Sequence, residues 1–278
     1  MAQNETITGI SICGAGHSGS TLLGMVLGTA PDAFYVGEGA KIRYLHDEKK
    51  PLKKRVCKIC GEPCPVWSKF HWDRSRPLYR QVAEHTGASI IVDSTKNPEW
   101  IDERTAELRQ SGDRSALVLL LRDGRAVINS RLRKYPERDP NQQITDWMAQ
   151  VDRSEALFEA FEGPKIRIHY EEFASTPDPV VRRICEVAGV GYQSGMLDFS
   201  SRPHHPLGGN NGTQFLAARE QAAGDSFVSL PNRTRDYYKD HPAGISLDLR
   251  WKQELKPEHA ALFDQVAGRF NTALKWGE

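Results

Sequence analysis

Gly14-Ala15-Gly16-His17-Ser18-Gly19-Ser20-Thr21 stands between an apolar run at 7–13 and a second apolar stretch at 22–27. The first run reads as a buried strand and the second as a helix. Strand, glycine-rich turn and helix together open a nucleotide-binding α/β unit. Gly14-x4-Gly19-Ser20-Thr21 has phosphate-loop spacing, but Ser20 stands where a Walker A loop carries Lys. Loop amides and a helix N-terminus still attract an anion, because the glycines allow close approach and the helix dipole favours negative charge. The cation that would neutralise β- and γ-phosphates is missing. The octet therefore suits one phosphate with a good leaving arrangement better than Mg-ATP, although a ligand-free strand-to-helix turn reads the same way.

Working outward, 89–93, 115–121 and 165–170 read as further strands, the 115–121 run having the continuous apolar character of a central parallel strand. Helix patterns fall at about 75–86, 98–110, 124–134, 142–161 and 178–189, with a last one at about 257–274. This alternation predicts an α/β fold: a central parallel β-sheet flanked by helices, P-loop-like, as one domain over 1–278. Two regions break the pattern. Residues at about 46–72 are basic and contain cysteine and proline, as expected of an insertion. Those at about 193–247 are rich in Gly, Pro, Asn and His, as expected of long binding loops.

A second anion clamp follows the 115–121 strand. Arg122 opens Arg122-Asp-Gly-Arg-Ala-Val-Ile-Asn-Ser130 at the carboxyl end of that strand, where open α/β sheets bind ligands. Ser130 lies two helical turns on. A guanidinium fork and a hydroxyl hold a phosphate between them. The plain alternative is an ordinary helix-start pair of Arg122 with Asp123.

The pairing of Gly-x-x-His-Ser-Gly-Ser-Thr with Leu-Arg-Asp-Gly-Arg-Ala-Val-x-x-Ser resembles the family of sulfotransferases that use 3′-phosphoadenosine 5′-phosphosulfate (PAPS). Three weaker likenesses keep the same order: 91–98 with the Asp/Glu-Ser/Lys-Pro strand end of bacterial members, 169–173 with the Tyr-Glu-Asp-Leu segment, and Gly209-Asn210 with the late loop around the nucleotide. The resemblance implies that Gly16, His17, Ser18, Gly19, Ser20 and Thr21 hold the 5′-phosphosulfate. It implies Arg122 and Ser130 at the 3′-phosphate, Gly209 and Asn210 at the nucleotide, and PAP as product.

Sulfuryl transfer resembles phosphoryl transfer: an in-line displacement in which charge builds on the leaving oxygen. It needs a base for the acceptor proton and donors for the departing phosphate. Glu38, in Tyr35-Val-Gly-Glu-Gly39, is the candidate base and resembles the Gly-Glu of tyrosylprotein and some bacterial carbohydrate sulfotransferases. A surface Glu in a turn is the alternative. His17 stands where many family members carry Lys or Arg, so the leaving-group donor is either His17 or Lys96. Ser94 is expected to add a hydroxyl near the transferred group, and Arg125 to be structural or a rim contact. His204 and His205 carry less weight, with acceptor contact and a solvent-facing place both open. No carboxylate set has Mg-binding spacing, so no catalytic metal is expected.

Cys57-x2-Cys60-x3-Cys64 brings three thiols close enough for zinc, with His71 or His46 as the expected fourth ligand. Reduced cysteines packing the loop, or a disulfide, are the other readings. The segment's place in the chain suggests a lid over the acceptor side.

The 278 residues carry 37 Lys plus Arg against 36 Asp plus Glu, a net charge of +1. That balance argues against nucleic-acid or membrane binding through bulk charge. No apolar run approaches the roughly 18–20 residues of a membrane span. The polar residues 1–8 run straight into the first strand and do not read as a signal peptide, so a reducing cytoplasm is the expected compartment. Two other functions compete: a P-loop phosphotransferase such as a small-molecule kinase, with Asp93 on Mg, and a non-catalytic nucleotide-binding protein. The acceptor is expected to be a small molecule, carbohydrate or phenol.

Overall fold

The computed structural model describes residues 6–220, 230, 237–238 and 243–276. Five strands, β1 (Thr8–Cys13), β2 (Ala33–Gly37), β3 (Ile90–Asp93), β4 (Arg114–Leu121) and β5 (Lys165–His169), form one sheet in the order β2-β3-β1-β4-β5. Every neighbouring pair is parallel, with Ile10 set between Val92 and Ala116. Side chains alternate across the sheet. Ala116, Val118 and Leu120 join Ile10 and Ile12 in one core, while Leu117, Leu119 and Leu121 join a second core on the other face. Burial on both faces explains why the central strands read as unbroken apolar runs.

The helices are α1 (Ser20–Leu27), α2 (Leu52–Arg55), α3 (Leu78–Thr86), α4 (Pro98–Gln110), α5 (Gly124–Lys134), α6 (Pro140–Ala160), α7 (Tyr170–Ser175), α8 (Pro177–Ala188), α9 (Asn211–Glu220), α10 (Trp251–Glu254) and α11 (Pro257–Asn271). α1, α3 and α8 cover one face; α5, α6 and α11 cover the other around the fully buried Trp147. Their starts follow capping chemistry. Asn97 accepts from the Trp100 amide at 2.7 Å before Pro98, and Asp139 accepts from the Gln142 amide at 2.8 Å before Pro140.

The expected parallel α/β sheet is present, with one strand that the sequence pattern does not announce. β2 is five residues long at the sheet edge, preceded by Pro31-Asp32 and ended by a glycine, so its own pattern is that of a turn. Pairing with β3 makes it a strand. The 46–72 segment packs irregularly around Trp67, which is 2% exposed. The region at 193–247 holds a short 3-10 turn, Ser194–Leu197, and α9, and part of it lies outside the described residues.

Candidate active site

In a parallel sheet every strand ends on the same edge, so residues far apart in the chain meet there. The phosphate loop follows β1, Glu38 follows β2, Ser94 to Lys96 follow β3, Arg122 follows β4 and Tyr170 follows β5. A cavity of about 310 Å³ opens along this edge, lined by Gly16, His17, Gly19, Ser20 and Thr21 together with Glu38, Lys96, Arg122, Ser130, Gly209 and Asn210.

Gly19 precedes α1 with φ 95°, and a Cβ there would lie 2.6 Å from the Tyr170 ring. Only glycine serves both the left-handed turn and the close approach. No side chain caps α1, and its first residues, Ser20 and Thr21, line the cavity; an uncapped helix start leaves amides that favour an anion. Ser18, expected at the 5′-phosphosulfate, is buried and does not line the cavity. The Gly16 amide donates to Gln150 Oε1 at 3.1 Å.

Arg122 is 8% exposed and tightly held. Its Nη1 donates to the His17 carbonyl at 3.1 Å, its Nη2 to the Asp248 carbonyl at 3.2 Å, and its guanidinium lies 4.1 Å from the Tyr170 ring centroid. Its Nε is a buried donor without a hydrogen-bond partner among the described residues. Ser130 Oγ lies 2.8 Å from His17 Nδ1, a contact that joins the loop after β1 to α5. Burial, reinforced by Lys134, Arg131, Arg122 and Lys96, pushes the His17 imidazole down to about 3, so it is neutral at physiological pH in the unliganded protein.

On the opposite wall Lys96 Nζ donates to Ser20 Oγ at 3.2 Å and to the Ser94 carbonyl at 2.8 Å, and lies 3.8 Å from Glu38 Oε1. Burial lowers the Lys96 ammonium below the usual lysine range, against the opposing pull of Glu38 and Asp93. Glu38 is also 3.8 Å from Lys41. Its amide donates to the Leu207 carbonyl at 2.6 Å, and Gly208, at φ +71°, leaves room for its carboxylate. The Asn210 amide donates to Thr21 Oγ1 at 2.9 Å, so the late loop touches the phosphate loop.

Three expectations change. Ser94 is fully buried: its hydroxyl donates to the Gly37 carbonyl at 3.0 Å and lies 2.7 Å from Tyr35 Oη, so its carbonyl, not its hydroxyl, serves the site by holding Lys96. Asp93 is saturated by the Gly39 and Thr95 amides, Tyr79 Oη and Trp100 Nε1, which makes it a structural hub and not a metal carboxylate. His71 is not with the cysteines; it stacks on His46 with ring centroids 4.4 Å apart. His205 takes that place, because Leu207 pairs with both Gly37 and Cys57 and draws the late loop across the insertion. All five cysteines are free thiols.

The cavity also contains residues that the motif reading passed over. Lys134, one turn beyond Ser130 on α5, was within reach of an i, i+4 argument. Tyr170 belongs to the 169–173 segment already likened to the family but was given no place in the site, and Asp248 and Arg250 had no signal. Arg250 grips Asp248 through two bonds of 2.8 Å. Burial would raise the Asp248 carboxyl, but those bonds and the charge of Arg122 outweigh it and hold the group below the usual carboxylate range.

A family model described as "Sulfotransferase family" matches residues 9–194. Among solved structures, the chain is similar to the sulfotransferase domain from the Synechococcus PCC 7002 olefin synthase, with a TM-score of 0.57, 18% identity, and 100% of this chain and 99% of that one covered. It is similar to the sulfotransferase domain from the curacin biosynthetic pathway, with a TM-score of 0.52, 17% identity, and 95% and 99% covered. Mouse sulfotransferase SULT7A1 complexed with PAP gives a TM-score of 0.51 at 10% identity, with 95% and 85% covered. At these identities the likeness is one of fold. No curated protein sequence matches this chain. No described helix is long and apolar enough to cross a membrane.

Proposed function

Since the chain belongs to the sulfotransferase family, we propose that it moves the sulfuryl group of PAPS onto a hydroxyl-type acceptor, with Glu38 as base. The observation that carries this reading is the meeting of two anion clamps, the lysine-free loop with Lys96 and the Arg122–Ser130 pair, on one cavity of about 310 Å³. A nucleotide with phosphate at both its 5′ and 3′ ends uses both clamps; AMP or ATP leaves the second without a partner.

In the proposed reaction Glu38 takes the acceptor proton as the acceptor oxygen bonds to sulfur. The bond from sulfur to the bridging oxygen breaks, and its electron pair leaves on the 5′-phosphate of PAP. Lys96, held by Ser20 and Ser94, and the first amides of α1 meet that charge. His17 serves as the bridge between clamps, because a neutral ring with Nδ1 on Ser130 is a poorer cation than Lys96. No step requires a metal. The acceptor class is a small molecule, carbohydrate or phenol, and five free thiols suit a reducing, cytoplasmic setting.

The phosphotransferase reading loses its Mg carboxylate, since Asp93 is fully engaged by four donors. Calorimetric titration separates the two. Tight binding of adenosine 3′,5′-bisphosphate with weak binding of AMP and Mg-ATP supports PAPS as donor. Preference for Mg-ATP, or no binding of any of them, removes the proposal.

A further inference from the structure

We propose that Cys57, Cys60, Cys64 and His205 bind one structural Zn²⁺ that fastens the late loop to the strand end carrying Glu38. The four ligand atoms already lie within 4.8 Å of one another. His205 Nδ1 is 3.2 Å from Cys60 Sγ and 3.6 Å from Cys64 Sγ. Zn–S bonds of about 2.3 Å and a Zn–N bond of about 2.0 Å in a tetrahedron put ligand atoms roughly 3.5–3.8 Å apart. Small side-chain rotations bring the set to that geometry.

The surroundings are those of metal ligands. The Ile59 and Cys60 amides both point at Cys57 Sγ from 3.4 Å, donors that stabilise a thiolate. Gly61, at φ +71°, turns the chain so that its amide bonds the Cys57 carbonyl at 3.1 Å and Cys64 can come round to the same point. Trp67 Nε1 donates to the His205 carbonyl and fixes that residue from behind. Three thiols and an imidazole with no carboxylate select zinc over magnesium or calcium. Four protein ligands leave no open position, which makes the site structural. On binding, each thiol loses its proton to solvent as its Zn–S bond forms.

The site acts at a distance through the loop that it holds. His205 lies 145 residues beyond Cys60 in the chain. Two residues on, the Leu207 amide bonds the Val36 carbonyl at 2.9 Å and the Leu207 carbonyl accepts from the Glu38 amide. Gly208 then backs the Glu38 carboxylate, and Asn210 reaches Thr21 of the phosphate loop. Zinc at His205 therefore holds both Glu38 and the late-loop wall of the cavity in place. That second effect rests on the sulfotransferase reading; the metal site itself does not.

The test is elemental analysis of the full chain, purified under reducing conditions, loaded with zinc and desalted. We expect about one zinc per chain in the wild type and in His71→Ala, and a loss of affinity of about 100-fold or more in His205→Ala and Cys60→Ser. Cobalt substitution of the wild type, which needs no variant to fold, should give thiolate-to-cobalt charge transfer and intense tetrahedral bands. Chelation should lower the thermal midpoint and weaken bisphosphate binding. Less than about 0.1 zinc per chain after loading, a disulfide among Cys57, Cys60 and Cys64, or six-coordinate cobalt bands would overturn the site. Wild-type zinc affinity in His205→Ala would overturn the fourth ligand. Bound zinc with no bisphosphate binding would spare the metal site and remove only its link to sulfuryl transfer.

Discussion

His17 Nδ1 and Ser130 Oγ lie 2.8 Å apart, and this one contact joins the loop after β1 to the helix after β4. Residues 113 apart in the chain thus form a continuous wall with Arg122 behind it. Removing Arg122 as Arg122→Ala should weaken bisphosphate binding by about 1.5–3 kcal/mol, and Ser130→Ala by about 0.5–1.5 kcal/mol. AMP affinity should barely move in either variant. Calorimetry with both ligands checks this, and an equal loss for AMP would mean that the pair does not read a 3′-phosphate.

Glu38→Ala should leave bisphosphate binding intact, because the residue's backbone carries the bonds to Leu207. Turnover with the true acceptor should fall about 10²–10⁴-fold, the usual cost of a lost base. Single-turnover kinetics at saturating donor measures this. Normal turnover in the variant would assign the proton to another group.

Lys96→Met keeps the stem and deletes the ammonium that bridges Ser20 and Glu38. Loss of one donor to the leaving oxygen should reduce kcat by about 10²–10³-fold. If KM for the donor rises while kcat holds, Lys96 is only a binding residue.

Asp93→Ala should damage the fold, not the nucleotide site alone. It strands two amides, the Tyr79 hydroxyl and the Trp100 indole in a buried place. Each stranded donor costs about 1–3 kcal/mol, so the thermal midpoint should drop steeply. An unchanged midpoint with altered Mg²⁺ binding would revive the phosphotransferase reading.

Acid should destabilise the unliganded protein through its buried imidazoles. His17 is pushed down to about 3 and His204, by burial, to about 4, whereas the unfolded chain titrates near the ordinary value of 6.5. Below that value the unfolded state takes up protons that the folded state refuses. The stability held in neutral His is thus complete above the ordinary value and declines as pH falls towards about 4 for His204 and about 3 for His17. Urea midpoints between about pH 7 and 5 should fall in the wild type and fall less in His17→Asn. Parallel pH profiles for the two proteins would show that His17 is not held neutral.

Sequence alone determined the features whose physics is local. The octet Gly14 to Thr21 needs its own glycines and its own helix start; β4 is apolar throughout because both its faces are covered; Arg122 directly follows it. Local pattern also placed Lys96 just past the end of the 89–93 strand, whereas Glu38 stood out only by its Gly-Glu-Gly setting. Tertiary structure decided the rest. β2 is a strand because β3 pairs with it, and that pairing puts Glu38 on the same edge as the phosphate loop. Ser94 turned inward because Tyr35 and Gly37 claim its hydroxyl. His205, not the nearby His71, joins the cysteines, since Leu207 bridges Gly37 and Cys57 across the fold. Spacing along a chain reports which residues share a turn or a strand face. Which distant side chains meet depends on how the sheet orders its strands and where the late loop crosses them, and that is settled only when the core packs.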